Sequence, residues 1–201
     1  PHVTVKNIYL SQKQIDWWKK LYFYGLGEFF YKNNIKTNID EFMNITAGTN
    51  KLLKSEINIS DEFTGALVPI DGGKDSIVTL NVIKDDFANN MCYVINPRGA
   101  TEETAETAGY GENKRCYVKR TLDKNMLELN KQGYLNGHTP FSSIVAFSAL
   151  IVAYLNKKKY IVLSNEASAN ESTIYEEEVN HQYSKSYEFE QDFNEYVKEN
   201  I

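Results

Sequence analysis

The stretch GALVPIDGGKDSIV, residues 65–78, connects an apolar run to a helical pattern through a loop that contains two glycines. The run GALVPI is continuously apolar, which is typical of a β-strand buried on both faces of a sheet. The segment DSIVTLNVIKDD that follows has apolar residues at helical spacing. The stretch therefore predicts a buried strand that leads directly into a helix through Gly72 and Gly73.

Strands and helices alternate beyond this loop. The predicted strands are GALVPI, MCYVINP, KRCYVKR and KYIVLSN, and the predicted helices include LDKNMLELNKQG and the segment after Pro140. This alternation predicts an α/β fold with a mostly parallel sheet and helices on both faces. Ligands of such sheets bind beyond the carboxyl ends of the strands. The loops after Ile70, at Asn96 and after Leu163 are therefore expected to lie together.

An aromatic amphipathic helix is predicted before this alternation, in SQKQIDWWKKLYFYGLGEFFYKNN, residues 11–34. Ser11 is a candidate N-cap, and apolar residues recur behind it at helical spacing. The aromatic stripe is expected to pack against a neighbouring sheet. Composition shifts near residue 60, so we expect an N-terminal helical or mixed lobe over residues 1–60, packed on the core. Residues 61–201 would then form the α/β domain, truncated at its carboxyl end.

Composition limits the classes of protein that fit the sequence. The formal net charge of -5 argues against a nucleic-acid binder, because such proteins need a dense Lys/Arg face to release counterions from phosphates. Cys92 and Cys116 lie in apolar, strand-like runs, which predicts buried, reduced thiols and a cytoplasmic protein. The longest apolar run, residues 144–155, is shorter than the roughly 20 residues that a membrane span needs. We expect no nucleic-acid partner and no membrane partner.

The glycine loop has the residues of an anion site. The amides of Gly72 and Gly73 can turn inward and, with the N-terminus of the helix, bind an anion. Lys74 can neutralise a phosphate, and Ser76 can donate a hydrogen bond to it. Phosphate would repel Asp75 unless a divalent cation lay between them, which makes Asp75 a candidate Mg²⁺ ligand. The alternative is a structural helix start, in which Asp75 interacts favourably with the helix dipole.

The segment DGGKDS is not a Walker A loop, which needs another glycine and a Ser or Thr directly after the lysine. It resembles the S-G-G-x-D-S loop of the PP-loop ATP pyrophosphatases, which bind the pyrophosphate of ATP and cleave between its α- and β-phosphates. The segment departs from that loop at Asp71, which replaces the first serine, removes one hydroxyl donor and adds a negative charge. We expect ATP to bind over residues 71–76, with Asn96 at the edge of the same cleft.

Three later motifs resemble one family more specifically. GYLNGHTPFSSIVAFSALIVAYL (133–155), YIVLSNEASANES (160–172) and VNHQYSKSYEFEQDF (179–193) are similar to the UDP-N-acetylmuramoyl-L-alanyl-L-glutamate epimerases of peptidoglycan synthesis. The GGKDS loop and LYFYGLGEFFYKNN share the resemblance. It implies an ATP- and Mg²⁺-dependent inversion of the terminal L-glutamate to D-glutamate, with release of AMP and pyrophosphate. The substrate partner would be a UDP-linked muramoyl dipeptide.

Two of these motifs contain candidate proton-transfer groups. His138 in NGHTP, and His181 and Lys185 in NHQYSKS, lie in polar segments where a titratable group could move the glutamate α-proton. His138 directly precedes the helix that follows Pro140. The alternative for either histidine is a structural role in a cap or in the core.

The segment after the last predicted strand contains the candidate substrate-binding residues, which are Asn165, Glu166, Ser168, Asn170 and Glu171. Glu166 and Glu171 could order Mg²⁺ or hold a substrate amine. The alternative for these acids is a solvated loop.

Two other classes of function remain open at this stage. A different PP-loop enzyme would adenylate a small carboxylate or a tRNA base, but the acidic balance and the isolated cysteines argue against the tRNA enzymes. A non-catalytic nucleotide-binding module would follow if Asp71 disables turnover. Release of AMP distinguishes an enzyme from such a module.

Overall fold

The computed structural model describes residues 1–49, 60–165 and 183–201. Within them the chain forms two compact units. The described residues of the first unit are 1–49, 133–142 and 183–201, and those of the second are 60–132 and 143–165. The boundary that the sequence predicts at residue 60 stays a prediction.

The first unit contains a two-stranded parallel sheet, three N-terminal helices and a C-terminal helix. Its elements are β1 (His2–Val5), α1 (Gln12–Gly25), α2 (Gly27–Lys32), α3 (Ile39–Phe42), β2 (Asn44–Ala47) and α8 (Tyr187–Asn200). Strand β1 pairs with β2 in parallel, with His2 opposite Asn44 and Val5 opposite Ala47.

The predicted aromatic helix is present, but it is two helices. Ser11 caps α1 in a capping box, because its hydroxyl accepts from the Gln14 N–H while the Gln14 side chain accepts from the Ser11 N–H. Leu26 leaves helical geometry, with φ at -105° and ψ at 13°, and separates α1 from α2. The prediction of one helix over residues 11–34 is therefore wrong at Leu26, which is flanked by Gly25 and Gly27, residues that weaken a helix interior.

The aromatic side chains of α1 are used for packing, as the sequence predicts. The buried Phe42, Met43 and Ile45 form a core with partly buried side chains of β1, of the first two helices and of the residues beside them, which are Val5, Leu10, Ile15, Trp18, Phe23, Leu26 and Phe30. On α8, the Trp17 indole donates to the Asp192 carbonyl at 3.0 Å, and the Trp18 indole donates to the Tyr196 hydroxyl at 3.2 Å. The indole N–H groups thus have partners where their rings are buried.

The second unit is built on a four-stranded parallel sheet. Its elements are β3 (Ala66–Pro69), α4 (Lys74–Val82), β4 (Met91–Ile95), α5 (Gly99–Thr107), β5 (Arg115–Val118), α6 (Lys124–Lys131), α7 (Phe141–Leu155, from Ser143 onward) and β6 (Tyr160–Ile161). The strand order is β5-β4-β3-β6, and every neighbouring pair is parallel. The predicted parallel α/β arrangement is confirmed. The last strand is shorter than KYIVLSN predicts, since only Tyr160 and Ile161 pair with β3.

Helices cover both faces of this sheet. Alternate residues of β3 and β4 point to opposite sides, so each strand contributes side chains to both faces. On one face Val68 and Val94 pack with Leu80 of α4 and Ala105 of α5. On the other face lies a second cluster, composed of Leu67, Tyr93, Ala149, Val152 and Ala153. Full burial of each large apolar side chain contributes about 1.5–3 kcal/mol to folding, so these two clusters fix the helices on the sheet.

The two cysteines are unpaired, as the sequence predicts, but they differ in burial. Cys92 lies in β4 and is buried, whereas Cys116 in β5 is partly buried. Burial raises the pKa of the Cys92 thiol to about 12, against a smaller lowering by Arg115. Cys92 is therefore a protonated core residue at neutral pH, not a nucleophile.

No helix in residues 1–49, 60–165 or 183–201 has the length and apolarity needed to cross a membrane. The long apolar helix α7 has 15 residues, and its small side chains Ala146 and Ala149 are fully buried. The prediction of a buried helix therefore holds for one face only, because Ile151 and Leu155 on α7 are exposed.

Replacement of Asn90 should destabilise the second unit. The buried Asn90 accepts from the Ala66 N–H at the start of β3 and donates to the Ile83 carbonyl at the end of α4, both at 2.9 Å. Asn90→Ala leaves these backbone groups without that partner, so we expect a loss of about 1–3 kcal/mol in the free energy of unfolding, measured by urea denaturation. The matched control is Asn81→Ala, at an exposed helical position. An equal effect of the two variants would contradict the bridging role.

Candidate functional site

The carboxyl ends of β3, β4 and β6 lie at one edge of the sheet, because the three strands are adjacent and parallel. The loop after β3 contacts the start of α5, since a Cβ on Gly72 would lie 2.8 Å from the carbonyl carbon of Ala100. The segment after β6 contacts α4, where the Ser164 hydroxyl donates to the Thr79 hydroxyl at 2.8 Å. The predicted meeting at one edge is confirmed for the loop after Ile70 and the segment after Asn96; of the loop after Leu163 only Ser164 and Asn165 are described, so its meeting with the other two stays a prediction.

At Gly72 the glycine loop has a backbone conformation that only glycine adopts easily. Gly72 has φ at +92° and lies directly against the backbone of Ala100. Gly73 has φ at -83° and is the N-cap of α4, and no side chain caps the helix from this position. The chain therefore turns tightly at Gly72 and presents the first turn of α4 without an N-cap side chain above it.

Asp71 makes the principal side-chain contacts inside the loop. Its Oδ1 accepts from the Gly73 N–H at 2.8 Å and from the Ser76 hydroxyl at 3.2 Å. Ser76 is only 2% exposed. The Ser76 hydroxyl, which the sequence suggests as a donor to phosphate, is thus bonded to Asp71 within the loop. The carboxylate of Asp71 already interacts with one amide of the predicted anion site.

Lys74 and Asp75 occupy the first turn of α4, and both are exposed. An acid in the first turn interacts favourably with the helix dipole, which is the structural alternative for Asp75. Among the described residues there is no cluster of three His, Cys, Asp or Glu side chains that could hold a metal ion. The assignment of Asp75 as a Mg²⁺ ligand stays a prediction, since a Mg²⁺ site also takes oxygen ligands from water and phosphate.

Asn96 lies at the predicted edge, but its side chain connects two strand ends. Its Nδ2 donates to the Arg120 carbonyl at 2.8 Å, and its Oδ1 accepts from the Arg120 N–H at 2.7 Å. Its φ is +51°, a left-handed value that Asn tolerates better than most residues. Asn96 thus closes the turn after β4 onto the segment after β5, and a contact with nucleotide stays a prediction.

Asn165 is exposed and directly follows Ser164. The other predicted substrate-binding residues, which are Glu166, Ser168, Asn170 and Glu171, lie outside the described residues, and so does His181. Their roles stay predictions.

His138 belongs to the first unit and lies against α2. Its Nδ1 is 3.3 Å from Oε2 of Glu28. The His138 side chain is 67% exposed and that of Glu28 is 17% exposed. Glu28 is not among the site residues that the sequence predicts, because LYFYGLGEFFYKNN predicts a helix that packs through its aromatic side chains. An acid in such a helix is expected to be a solvated side chain.

The polar motif around Lys185 starts a helix. Ser186 is the N-cap of α8, and its hydroxyl accepts from the Phe189 N–H at 3.1 Å. Tyr183 is buried and donates to Asp192, and burial followed by this hydrogen bond raises the pKa of Tyr183 well above its ordinary value. Lys185 is exposed between these structural residues. The signal for the cap was present in the sequence as a serine before the pattern YEFEQDF.

Known proteins similar to this chain belong to one family. A family model described as the MurL N-terminal domain matches residues 1–201. A relative from Xanthomonas oryzae pv. oryzae is 28% identical over 203 residues, which is 100% of this chain and 44% of the relative. A relative from Micromonospora sp. is 31% identical over 172 residues, which is 85% of this chain and 37% of the relative. A relative from Salinispora tropica is 27% identical over 192 residues, 94% of this chain and 41% of the relative.

Each of these three relatives is named UDP-N-acetyl-alpha-D-muramoyl-L-alanyl-L-glutamate epimerase. The chain spans less than half the length of each of them. No solved structure shows a significant match to the chain.

The two loop glycines should respond differently to the same substitution. Gly72→Ala forces a Cβ toward Ala100 at a left-handed φ, so we expect a loss of about 1–3 kcal/mol in the free energy of unfolding. Gly73→Ala is the matched control, because its φ suits any residue and its Cβ would meet only the Asp71 carboxylate. We expect that variant to lose about 1 kcal/mol or less, and less than Gly72→Ala, because alanine is a poorer N-cap than glycine and its Cβ would lie 3.2 Å from Asp71 Oδ1. Urea denaturation measures both, and equal losses would contradict the tight turn at Gly72.

Proposed function

Because this chain belongs to the MurL family, whose N-terminal domain model covers all of it, we propose that it takes part in an ATP-dependent epimerisation. The substrate is a UDP-linked N-acetylmuramoyl-L-alanyl-L-glutamate, and the α-carbon of its terminal glutamate is inverted. The observation that carries the proposal is the family match over the whole chain, together with the shared name of three relatives. The glycine loop supports the ATP-dependent part.

The chemistry explains why such a reaction needs ATP. The α-proton of an amino-acid carboxylate is very weakly acidic, because its removal places a negative charge beside an existing one. Attack of the glutamate α-carboxylate on the α-phosphorus of ATP releases pyrophosphate and gives an acyl-adenylate, which removes that charge and provides an electron sink. A base then takes the α-proton and an acid returns a proton to the opposite face. Hydrolysis of the adenylate releases AMP and the inverted dipeptide.

The glycine loop is the proposed binding site for the phosphates of ATP. The helix α4 has nine residues, and its N-terminal amides and dipole favour an anion. Lys74 is exposed in its first turn and can neutralise a phosphate. The turn at Gly72 keeps the loop backbone against Ala100, and Gly73 itself has no side chain that would stand before the first turn of α4.

The negative charge of Asp71 explains why phosphate binding at this loop would need a cation. Its carboxylate accepts from the Gly73 N–H, so a phosphate oxygen and this carboxylate compete for the same amide. Mg²⁺ held by Asp75, within reach of phosphate oxygens, would neutralise charge that otherwise opposes binding. The loop residues fit such an ion through their carboxylate oxygens, and the remaining ligands would be water and phosphate.

The proposed proton-transfer residues are His138, His181 and Lys185. His138 has structural support, because its Nδ1 lies beside the Glu28 carboxylate and most of its ring is exposed to solvent. Histidine serves as a general acid or a general base in many enzymes. We also propose that Asn165, Glu166, Ser168, Asn170 and Glu171 bind the dipeptide substrate.

A second candidate function is a nucleotide-binding module without turnover. The observation that favours it is the bond from the Gly73 N–H to the Asp71 carboxylate, which replaces a possible contact with phosphate. ATP binding without release of AMP would support the module. Release of AMP and pyrophosphate in the presence of the dipeptide substrate would support the enzyme.

The ATP site predicts a loss of affinity on removal of Lys74. Lys74→Ala removes a charge-assisted hydrogen bond to phosphate, worth about 1.5–3 kcal/mol, so the Kd for Mg-ATP should rise about 10- to 150-fold. Isothermal titration calorimetry measures this change. The matched control is Lys84→Ala, another exposed lysine of the same unit, in the short 3-10 helix after α4. Equal Kd values for wild type and Lys74→Ala would remove the loop from the site.

The reaction predicts exchange of the glutamate α-proton with solvent. In D₂O, the complete protein containing residues 1–201 should place deuterium at the glutamate α-carbon of the muramoyl dipeptide only when ATP is present. Mass spectrometry of the product measures the exchange, and an AMP assay measures turnover. Formation of AMP without exchange would contradict the epimerase and favour a different adenylating enzyme.

A further inference from the structure

The segment that contains His138 is fixed on one face of α1 and α2. Pro140 packs against Gly25 so closely that a Cβ there would lie 2.6 Å from the proline ring. Four residues further along, Phe29 packs on Gly137, whose Cβ would lie 3.0 Å from the phenyl ring. Another four residues along, the Asn33 side chain donates to the Asn136 carbonyl at 3.2 Å. Three contacts, made by Gly25, Phe29 and Asn33, therefore hold residues 136–140 in place.

Glu28 lies beside this face and is itself held at both carboxylate oxygens. Its Oε1 pairs with Lys32, one helical turn later, and its Oε2 lies 3.3 Å from Nδ1 of His138. The Glu28 side chain is 17% exposed, whereas the His138 side chain is 67% exposed. The carboxylate is therefore a fixed, half-buried group, and the imidazole extends from it toward solvent.

We propose that Glu28 is a positioning residue for His138, and that it holds the imidazole with Nδ1–H directed at its carboxylate. This inference rests on the proposed epimerisation, in which His138 exchanges a proton with the glutamate α-carbon. With the proton on Nδ1, the other ring nitrogen, Nε2, is the basic one that can accept the α-proton. The carboxylate also stabilises the imidazolium that forms when the ring takes up that proton.

Stability alone does not explain the arrangement. A pair with one largely exposed partner contributes little to folding, typically 0–1 kcal/mol. Yet three separate contacts hold the histidine segment, and Lys32 holds the second oxygen of the same carboxylate. Such support of an exposed imidazole by a fixed carboxylate is what a proton-transfer histidine requires, because the tautomer and the ring orientation must both be set before the proton moves.

The first test measures the tautomer of His138 in the chain of residues 1–201. Long-range ¹H–¹⁵N NMR at about pH 8.5, where imidazoles are neutral, should show the ring proton on Nδ1. The His138 signal is assigned from its loss in His138→Gln. In Glu28→Met the population should shift toward the Nε2–H form, and in Glu41→Met, the matched control at an exposed acid of α3, it should stay as in wild type. An unchanged tautomer in folded Glu28→Met would overturn the proposal.

The second test measures the effect on the reaction in the complete protein containing residues 1–201. Glu28→Met should lower ATP-dependent α-proton exchange about 10-fold or more, while pyrophosphate release and the KM for ATP stay close to wild type. Glu28→Asp should recover part of the exchange. An equal fall in exchange and in pyrophosphate release would overturn the positioning role, since it indicates a merely structural one.

The two tests separate the proposal from the function on which it rests. If the wild type shows no ATP-dependent exchange, the proposed epimerisation is wrong and the role of Glu28 in it is wrong with it. If the wild type exchanges the proton and Glu28→Met exchanges it equally fast, the epimerisation stands and only the inference about Glu28 is overturned.

Discussion

The parallel pairing of β3 with both of its neighbours is the constraint on which the second unit depends. Leu67 of β3 is opposite Met91 of β4 on one side and Ile161 of β6 on the other. Parallel strands need crossover connections, and here α4 connects β3 to β4 while covering one face of the sheet. The same pairing directs the chain after each strand to one edge. The glycine loop, the turn at Asn96 and the segment at Ser164 therefore share that edge whatever their side chains are.

At this edge the structure contains a competition between an internal acid and an external anion. The loop, which is the proposed phosphate site, turns tightly at Gly72 and starts a helix at Gly73. Asp71 satisfies one of its amides and the Ser76 hydroxyl from within the chain. A buried hydroxyl needs a partner, and the carboxylate supplies one. Asp71 thus stabilises the loop by itself and, in the proposed function, raises the electrostatic cost of bringing phosphate to it, which connects nucleotide binding to a divalent cation.

In the first unit, residues that look like site residues in the sequence have structural roles, and a residue that looks structural contacts a candidate site residue. The motif around Tyr183 and Ser186 has the polarity of a site, but both side chains start or anchor α8. Glu28 sits in a stretch dominated by aromatic packing, and it is the residue that contacts His138. The difference arises because a hydroxyl near a helix start is used first by the unpaired backbone N–H groups, whereas an acid on a helix surface takes its partner from whatever segment packs on that face.

The sequence by itself determined the class of fold, the parallel sheet and the position of the loop at a carboxyl edge. Continuously apolar strands and apolar residues at helical spacing indicate which side chains are buried. A sheet that is buried on both faces then permits few arrangements of β3, β4 and α4. The sequence also predicted that α7 lies in a core, because its apolar run is too short for a membrane. The prediction from the sequence was wrong at two local features: Leu26 divides the aromatic helix, and β6 pairs through only two residues. Only the tertiary structure decided the partners of Asp71, Asn96 and His138, because a hydrogen bond or an ion pair depends on distances of about 3 Å between groups whose separation in the sequence ranges from two residues to more than a hundred.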